Sequence, residues 1–112
     1  MKKEKKHLLD FLKKKEINGD ELQVLLAARD KNEISFVLID VREQEEYDVE
    51  KIDGVDDLIP TSEFYQNNEV FKQVKKNNII LQCRSGIRSY NIQQTLKNKG
   101  YQNVINLSLI HI

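Results

Sequence analysis

A chain of 112 residues with 39% apolar side chains fits one compact domain and excludes two independent cores. At this length folding hides roughly two-thirds of the unfolded chain's surface, enough for a self-sufficient core. Lysine and arginine number 18 against 18 aspartates and glutamates, so there is no basic surplus to displace counterions from phosphates, and nucleic acid is not expected as a partner.

The chain opens on a basic stretch, with seven lysines in residues 1–15 against Glu4 and Asp10. Its apolar residues, Leu8, Leu9, Phe11 and Leu12, are interrupted by Asp10 and fall short of the ~7–15 apolar residues of a secretory signal. No apolar run approaches the ~18 residues needed to span a bilayer, so no membrane association and a cytoplasmic setting are expected. Residues 1–16 read as a basic amphipathic extension whose apolar stripe rests on the domain, with docking to a partner or a membrane surface as the competing reading.

Regular elements begin at Ile17. Asn18 is placed to cap a helix over Asp20–Arg29, where Leu22, Leu25 and Leu26 share a face and acidic residues fill the first turn. Ile34–Asp40 is a short β-branched run of the kind buried on both faces of a parallel sheet. An acidic stretch follows, with nine carboxylates in residues 40–57 against Arg42 and Lys51; it reads as a solvated face, or else as a dock for a basic partner. Within it a short helix is expected near Glu43–Tyr47, then a turn at Asp53-Gly54 and a short strand at Leu58–Ile59. A helix starts near Thr61–Ser62 and takes its apolar positions from Phe64, Val70, Phe71 and Val74. Asn78–Cys83 repeats the buried-strand pattern, Ile87–Lys99 is a helix ended by Gly100, and Asn103–Leu107 is a last strand.

Strands alternating with helices specify an α/β domain, with an about five-stranded, mostly parallel sheet and helices on its faces. In such folds ligands sit beyond the carboxyl ends of the strands, which is where Cys83 falls. It is the only cysteine, so no intrachain disulfide or cysteine-cluster metal site is possible. A lone cysteine closing a buried strand is ordinarily a small hydrophobe. The following loop changes that reading. In Cys83-Arg84-Ser85-Gly86-Ile87-Arg88-Ser89, the small residues Ser85 and Gly86 let successive N–H groups curl inward at a helix N-terminus, and Arg84 and Arg88 add two cations. A thiol so placed has its pKa lowered from ~8.5 toward ~3.5–7.5 and acts as a nucleophile.

The C-x-x-G-x-R pattern at Cys83–Arg88, with Asp40-Val41-Arg42-Glu43 and Glu46-Tyr47, resembles a single-domain rhodanese. Ile52-Asp53-Gly54 and Leu58-Ile59-Pro60 extend the likeness in the same order over residues 17–107. The resemblance implies a rhodanese-like fold and a sulfurtransferase that needs no cofactor and no metal. Cys83 would take the outer sulfur of a small anionic donor such as thiosulfate, or of a protein persulfide, and pass it to a thiol or cyanide-like acceptor. Backbone N–H groups from Arg84 to Ser89 (Arg84, Ser85, Gly86, Ile87, Arg88 and Ser89) would hold the persulfide anion. Arg84 would recruit the donor, and Arg88 would brace the loop or meet the donor anion. Asp40 and Arg42 would fix the loop from below or touch substrate, whereas Glu46 and Tyr47 read as helix surface and packing. Only four residues separate Cys83 from Arg88, one fewer than the C-x5-R cradle of cysteine phosphatases, which favours sulfur over phosphate.

Two departures stand out. Lys51 and Asp53 replace the His and Pro of the related turn, and the chain stops at Ser108-Leu109-Ile110-His111-Ile112, where the family adds a further helix. Leu107–Ile112, LSLIHI, reads like a translated transposon end, so residues 108–112 are expected to be a non-native tail, the last helix missing and one sheet face bare. A second functional expectation is a rhodanese-like binding or sulfur-presenting module that docks on a larger sulfur-carrier-activating enzyme through the basic arm or the acidic stretch.

Overall fold

A computed structural model of the chain describes residues 8–108. The elements are β1 (Glu16–Ile17), α1 (Gly19–Asp30), β2 (Val37–Asp40), α2 (Gln44–Val49), β3 (Asp57–Leu58), α3 (Thr61–Gln66), a 3₁₀ turn at Lys72–Val74, β4 (Ile79–Gln82), α4 (Ile87–Asn98) and β5 (Val104–Leu107). The strands form one sheet in the order β1-β5-β4-β2-β3. Every pairing is parallel, so the expected sheet is present and is wholly rather than mostly parallel.

Alternation along the strands sends side chains to two cores, one on each face. Leu38, Ile80, Ile105 and Leu107 meet Leu22, Leu25 and Ala28 of α1. Ile39, Ile79, Leu81 and Val104 meet Phe64 of α3, Phe71, and Ile92 and Leu96 of α4. Helices therefore cover both faces, and every side chain of β4 and β5 is buried. Among the described residues both faces of the sheet are covered, contrary to the bare face expected from a missing terminal helix. Leu8, in a helical turn over residues 8–11, and Leu12, directly after it, fill the first core beside α1, while Leu9 stays exposed. The lysine-rich residues 1–7 and the tail residues 109–112 lie outside the described residues.

Three local outcomes refine the sequence reading. Asn18 caps α1 as expected: its side chain accepts from Glu21 N–H at 2.8 Å, and Glu21 answers by accepting from Asn18 N–H at 3.0 Å. The helix expected through Val74 stops at Gln66 instead. Asn67 leaves helical geometry and accepts Glu69 N–H at 3.1 Å, an Asx turn that competes with the helix, yet Phe64 and Phe71 still meet edge to face at 5.6 Å. The strand β1 carried no periodic signal, being two residues long. It is held by Ile17 in the core and by pairing of Ile17 with Leu107.

Candidate active site

The site lies where β4 ends and α4 begins. Val41, Gln82 and the end of β2 are joined by a Val41 N–H to Gln82 carbonyl bond of 2.9 Å, which brings the β2–α2 loop alongside the β4–α4 loop. Gly86 makes the reversal possible. Its φ of +84° is a left-handed conformation that costs a β-carbon-bearing residue about 1–2 kcal/mol, and it is the residue that caps α4.

Cys83 is fully buried. Its Sγ accepts the Gly86 N–H at 3.0 Å and the Ser89 N–H at 3.4 Å, and lies 3.2 Å from Ser89 Oγ. Burial pushes the thiol's pKa up. The Ser89 hydroxyl, then the backbone N–H groups of Ser89, Gly86 and Ser85, outweigh it and leave the pKa below the ordinary thiol value. Of the loop amides expected to face inward, those of Gly86 and Ser89 donate to the sulfur, whereas the Ile87 N–H turns to Ser85 Oγ at 3.3 Å. Ile87 itself is exposed.

The two arginines of the loop lie in different surroundings. Arg88 lies across Glu46 of α2, with Nη1 to Oε1 at 2.6 Å and Nη2 to Oε2 at 2.9 Å. That fork holds the Glu46 carboxyl down to about 2 and raises the Arg88 pKa. Arg88 is therefore a brace between loop and helix, and Glu46, read from sequence as helix surface, is its partner. The sequence signal was available in the E-Y dipeptide of the motif, but α2 alone gives no reason for a carboxylate there. Arg84 remains exposed at the loop mouth.

Beneath the loop, Asp40 is buried and accepts from Arg42 three ways: from its N–H at 3.0 Å, from Nε at 3.1 Å and from Nη2 at 2.9 Å. Arg42 Nη2 also reaches the Glu50 carbonyl at 2.6 Å, so the pair ties the end of β2 to the end of α2. Asp40 chiefly raises the Arg42 pKa through this hydrogen bond. Beside the pair is a cavity of about 580 Å³, walled by Arg42, Glu45, Lys51, Ile52, Gln82 and Arg84 among others. Gln82 was not singled out from sequence. It donates through Nε2 to the Cys83 carbonyl at 3.1 Å, and its Oε1 is the buried side-chain polar atom that lacks a partner among the described residues.

Comparison with known proteins gives a consistent outcome. The model of the Rhodanese-like domain family matches residues 21–109. A probable adenylyltransferase/sulfurtransferase, MoeZ of Mycobacterium tuberculosis (strain CDC 1551 / Oshkosh), is 33% identical over 72 residues, 64% of this chain; the chain spans only 18% of that protein's length. Among solved structures, a rhodanese-related protein of Thermoplasma volcanium has a TM-score of 0.66 at 22% identity, over 85% of this chain and 84% of that one. A human single-domain sulfurtransferase has a TM-score of 0.61 at 21% identity, over 85% and 88% of the two chains. At these identities the structural likeness establishes the fold.

Proposed function

Because the chain belongs to the rhodanese-like domain family, we propose that it is a sulfurtransferase that carries sulfane sulfur as a persulfide on Cys83. In the first half-reaction the Cys83 thiolate attacks the outer sulfur of a donor. With thiosulfate the S–S bond of the donor breaks, its electron pair leaves on sulfite, and Cys83 becomes Cys–S–S⁻. In the second, an acceptor thiolate or cyanide attacks the outer sulfur, and the electron pair of the protein's S–S bond returns to Cys83 as thiolate. Cys83 ends the cycle as the thiolate it began as.

The observation that carries this reading is the convergence of the Gly86 N–H, the Ser89 N–H and the Ser89 hydroxyl on a buried sulfur. Donors aimed at a sulfur stabilise charge there without reorganising, as an oxyanion hole does. Arg84 at the loop mouth is the cation for an anionic donor. The free, buried thiol suits the reducing cytoplasm, where we place the protein, and no described helix is long and apolar enough to cross a membrane. The part-length match to MoeZ supports a second reading, a sulfur-presenting module that docks on a larger sulfur-carrier-activating enzyme through the acidic stretch or the basic arm.

Thiocyanate formation from thiosulfate and cyanide separates these readings. The isolated chain turns over under the first, and Cys83→Ser does not. No turnover by the wild type, with persulfide accepted only from a protein donor, favours the second.

A further inference from the structure

Ser89 Oγ stands between two claimants for one proton. On one side is Cys83 Sγ at 3.2 Å; on the other is Asn106 Oδ1 of β5, in a closer contact. The Gly86 carbonyl, at 3.3 Å, is a weaker third acceptor. Asn106 cannot turn to relieve the competition. Its Nδ2 donates to the Gly86 carbonyl at 3.1 Å, and a flipped amide would set two acceptor oxygens against each other. All three side chains are buried, so water does not arbitrate.

With Cys83 as a thiol, every donor is used: S–H donates to Oγ and Oγ–H donates to Oδ1. With Cys83 as a thiolate, the hydroxyl must choose. Turning to sulfur leaves a buried amide oxygen facing a hydroxyl lone pair; staying with Asn106 deprives the thiolate of a donor. We propose that Asn106 is a positioning residue for the sulfur transfer inferred above, one that competes with the sulfur for the Ser89 proton and so sets the fraction of Cys83 present as thiolate.

The competition is relieved once sulfur is loaded. The charge then sits on the outer sulfur, and Sγ, bonded to carbon and sulfur, no longer needs the hydroxyl, which returns to Asn106. When an acceptor removes the outer sulfur, the electron pair returns to Sγ and the hydroxyl turns back to meet it. Asn106 thus favours the loaded state over the free thiolate. Among the described residues, the charged groups on the elements around the sulfur are Arg84 and Arg88 on the loop, Glu46 and Glu43 by α2, and the paired Asp40 and Arg42 at the end of β2. Asn106, the β5 residue in contact with Ser89, is neutral, so its effect passes through the hydroxyl and not through a field.

The test is a pH titration of thiolate ultraviolet absorbance, with Cys83→Ser as the blank. Asn106→Leu, close in shape but with no oxygen, is expected to move the midpoint down by about one pH unit, and Ser89→Ala to move it up. In a Ser89→Ala background Asn106→Leu should add nothing. An unchanged or raised midpoint in Asn106→Leu, or the same shift without the Ser89 hydroxyl, overturns the proposal. If Asn106→Leu does not fold, Asn106→Asp replaces it: the midpoint should rise, and rise less when Ser89 is Ala, whereas equal rises overturn the role. Sulfur uptake from thiosulfate, read by intact mass on the same samples, separates the two claims. Uptake with an unmoved midpoint removes Asn106 alone; failure of the wild type to take up sulfur from thiosulfate and from a protein persulfide alike removes the transfer function.

Discussion

Arg88 and Glu46, 42 positions apart in the chain, meet through two parallel hydrogen bonds of 2.6 and 2.9 Å and lock the loop that carries Cys83 to the helix α2. The pair is about one-third exposed on each side, so solvent screens it, and its worth is about 1 kcal/mol. The Glu46 carboxyl is held at about 2, below its ordinary value of 4.5. The stabilisation is therefore full above pH ~4.5 and is lost as pH falls toward ~2. Urea unfolding should show Glu46→Gln less stable than the wild type by about 1 kcal/mol at pH 6, with the difference shrinking by pH 3. A difference independent of pH would contradict the assignment.

Gly86→Ala tests the loop reversal. An added β-carbon has room, its nearest neighbour being the Leu107 carbonyl at 3.8 Å, so the penalty comes from the backbone, with φ at +84°. Stability should fall by about 1–2 kcal/mol. Because relaxation swings the Gly86 N–H away from Sγ, alkylation of Cys83 by iodoacetamide at neutral pH should slow as well. A variant equally reactive but less stable would mean that this N–H does not serve the sulfur.

Much of this was legible in the sequence. Strands β2 and β4 declared themselves as unbroken apolar runs, α1 by its cap and its leucine spacing, and the loop by a glycine between arginines. What was not legible depended on contacts distant in the chain. The partner of Arg88 is set by how α2 is placed, the position of Gln82 by the parallel pairing of β2 with β4, and the contact of Asn106 with Ser89 by where β5 passes. The break after Gln66 was local, but it turned on an asparagine bonding its own backbone, which apolar periodicity does not register.

Among the described residues, Arg42 is the one charged group paired with the buried Asp40 carboxylate. Asp40→Ala strands a largely buried guanidinium and should cost roughly 3 kcal/mol, measured by chemical denaturation. Replacing both residues with apolar ones of similar size should recover much of that loss. Failure to recover any of it would show that the pair does more than hold the ends of β2 and α2 together.

Leu12 joins the first core although it precedes β1. Leu12→Ala should lower stability by about 2–4 kcal/mol, whereas the exposed Leu9→Ala should change it by less than about 0.5 kcal/mol. Equal effects at the two positions would place the helical turn over residues 8–11 off the domain.

The central claim is that Cys83 holds transferable sulfur, and intact mass spectrometry after incubation with thiosulfate reads it directly. The wild type should gain one sulfur atom and lose it on adding cyanide, and Cys83→Ser should gain none. A wild-type mass unchanged by thiosulfate and by a protein persulfide alike, or a sulfur gain that survives in Cys83→Ser, would contradict it.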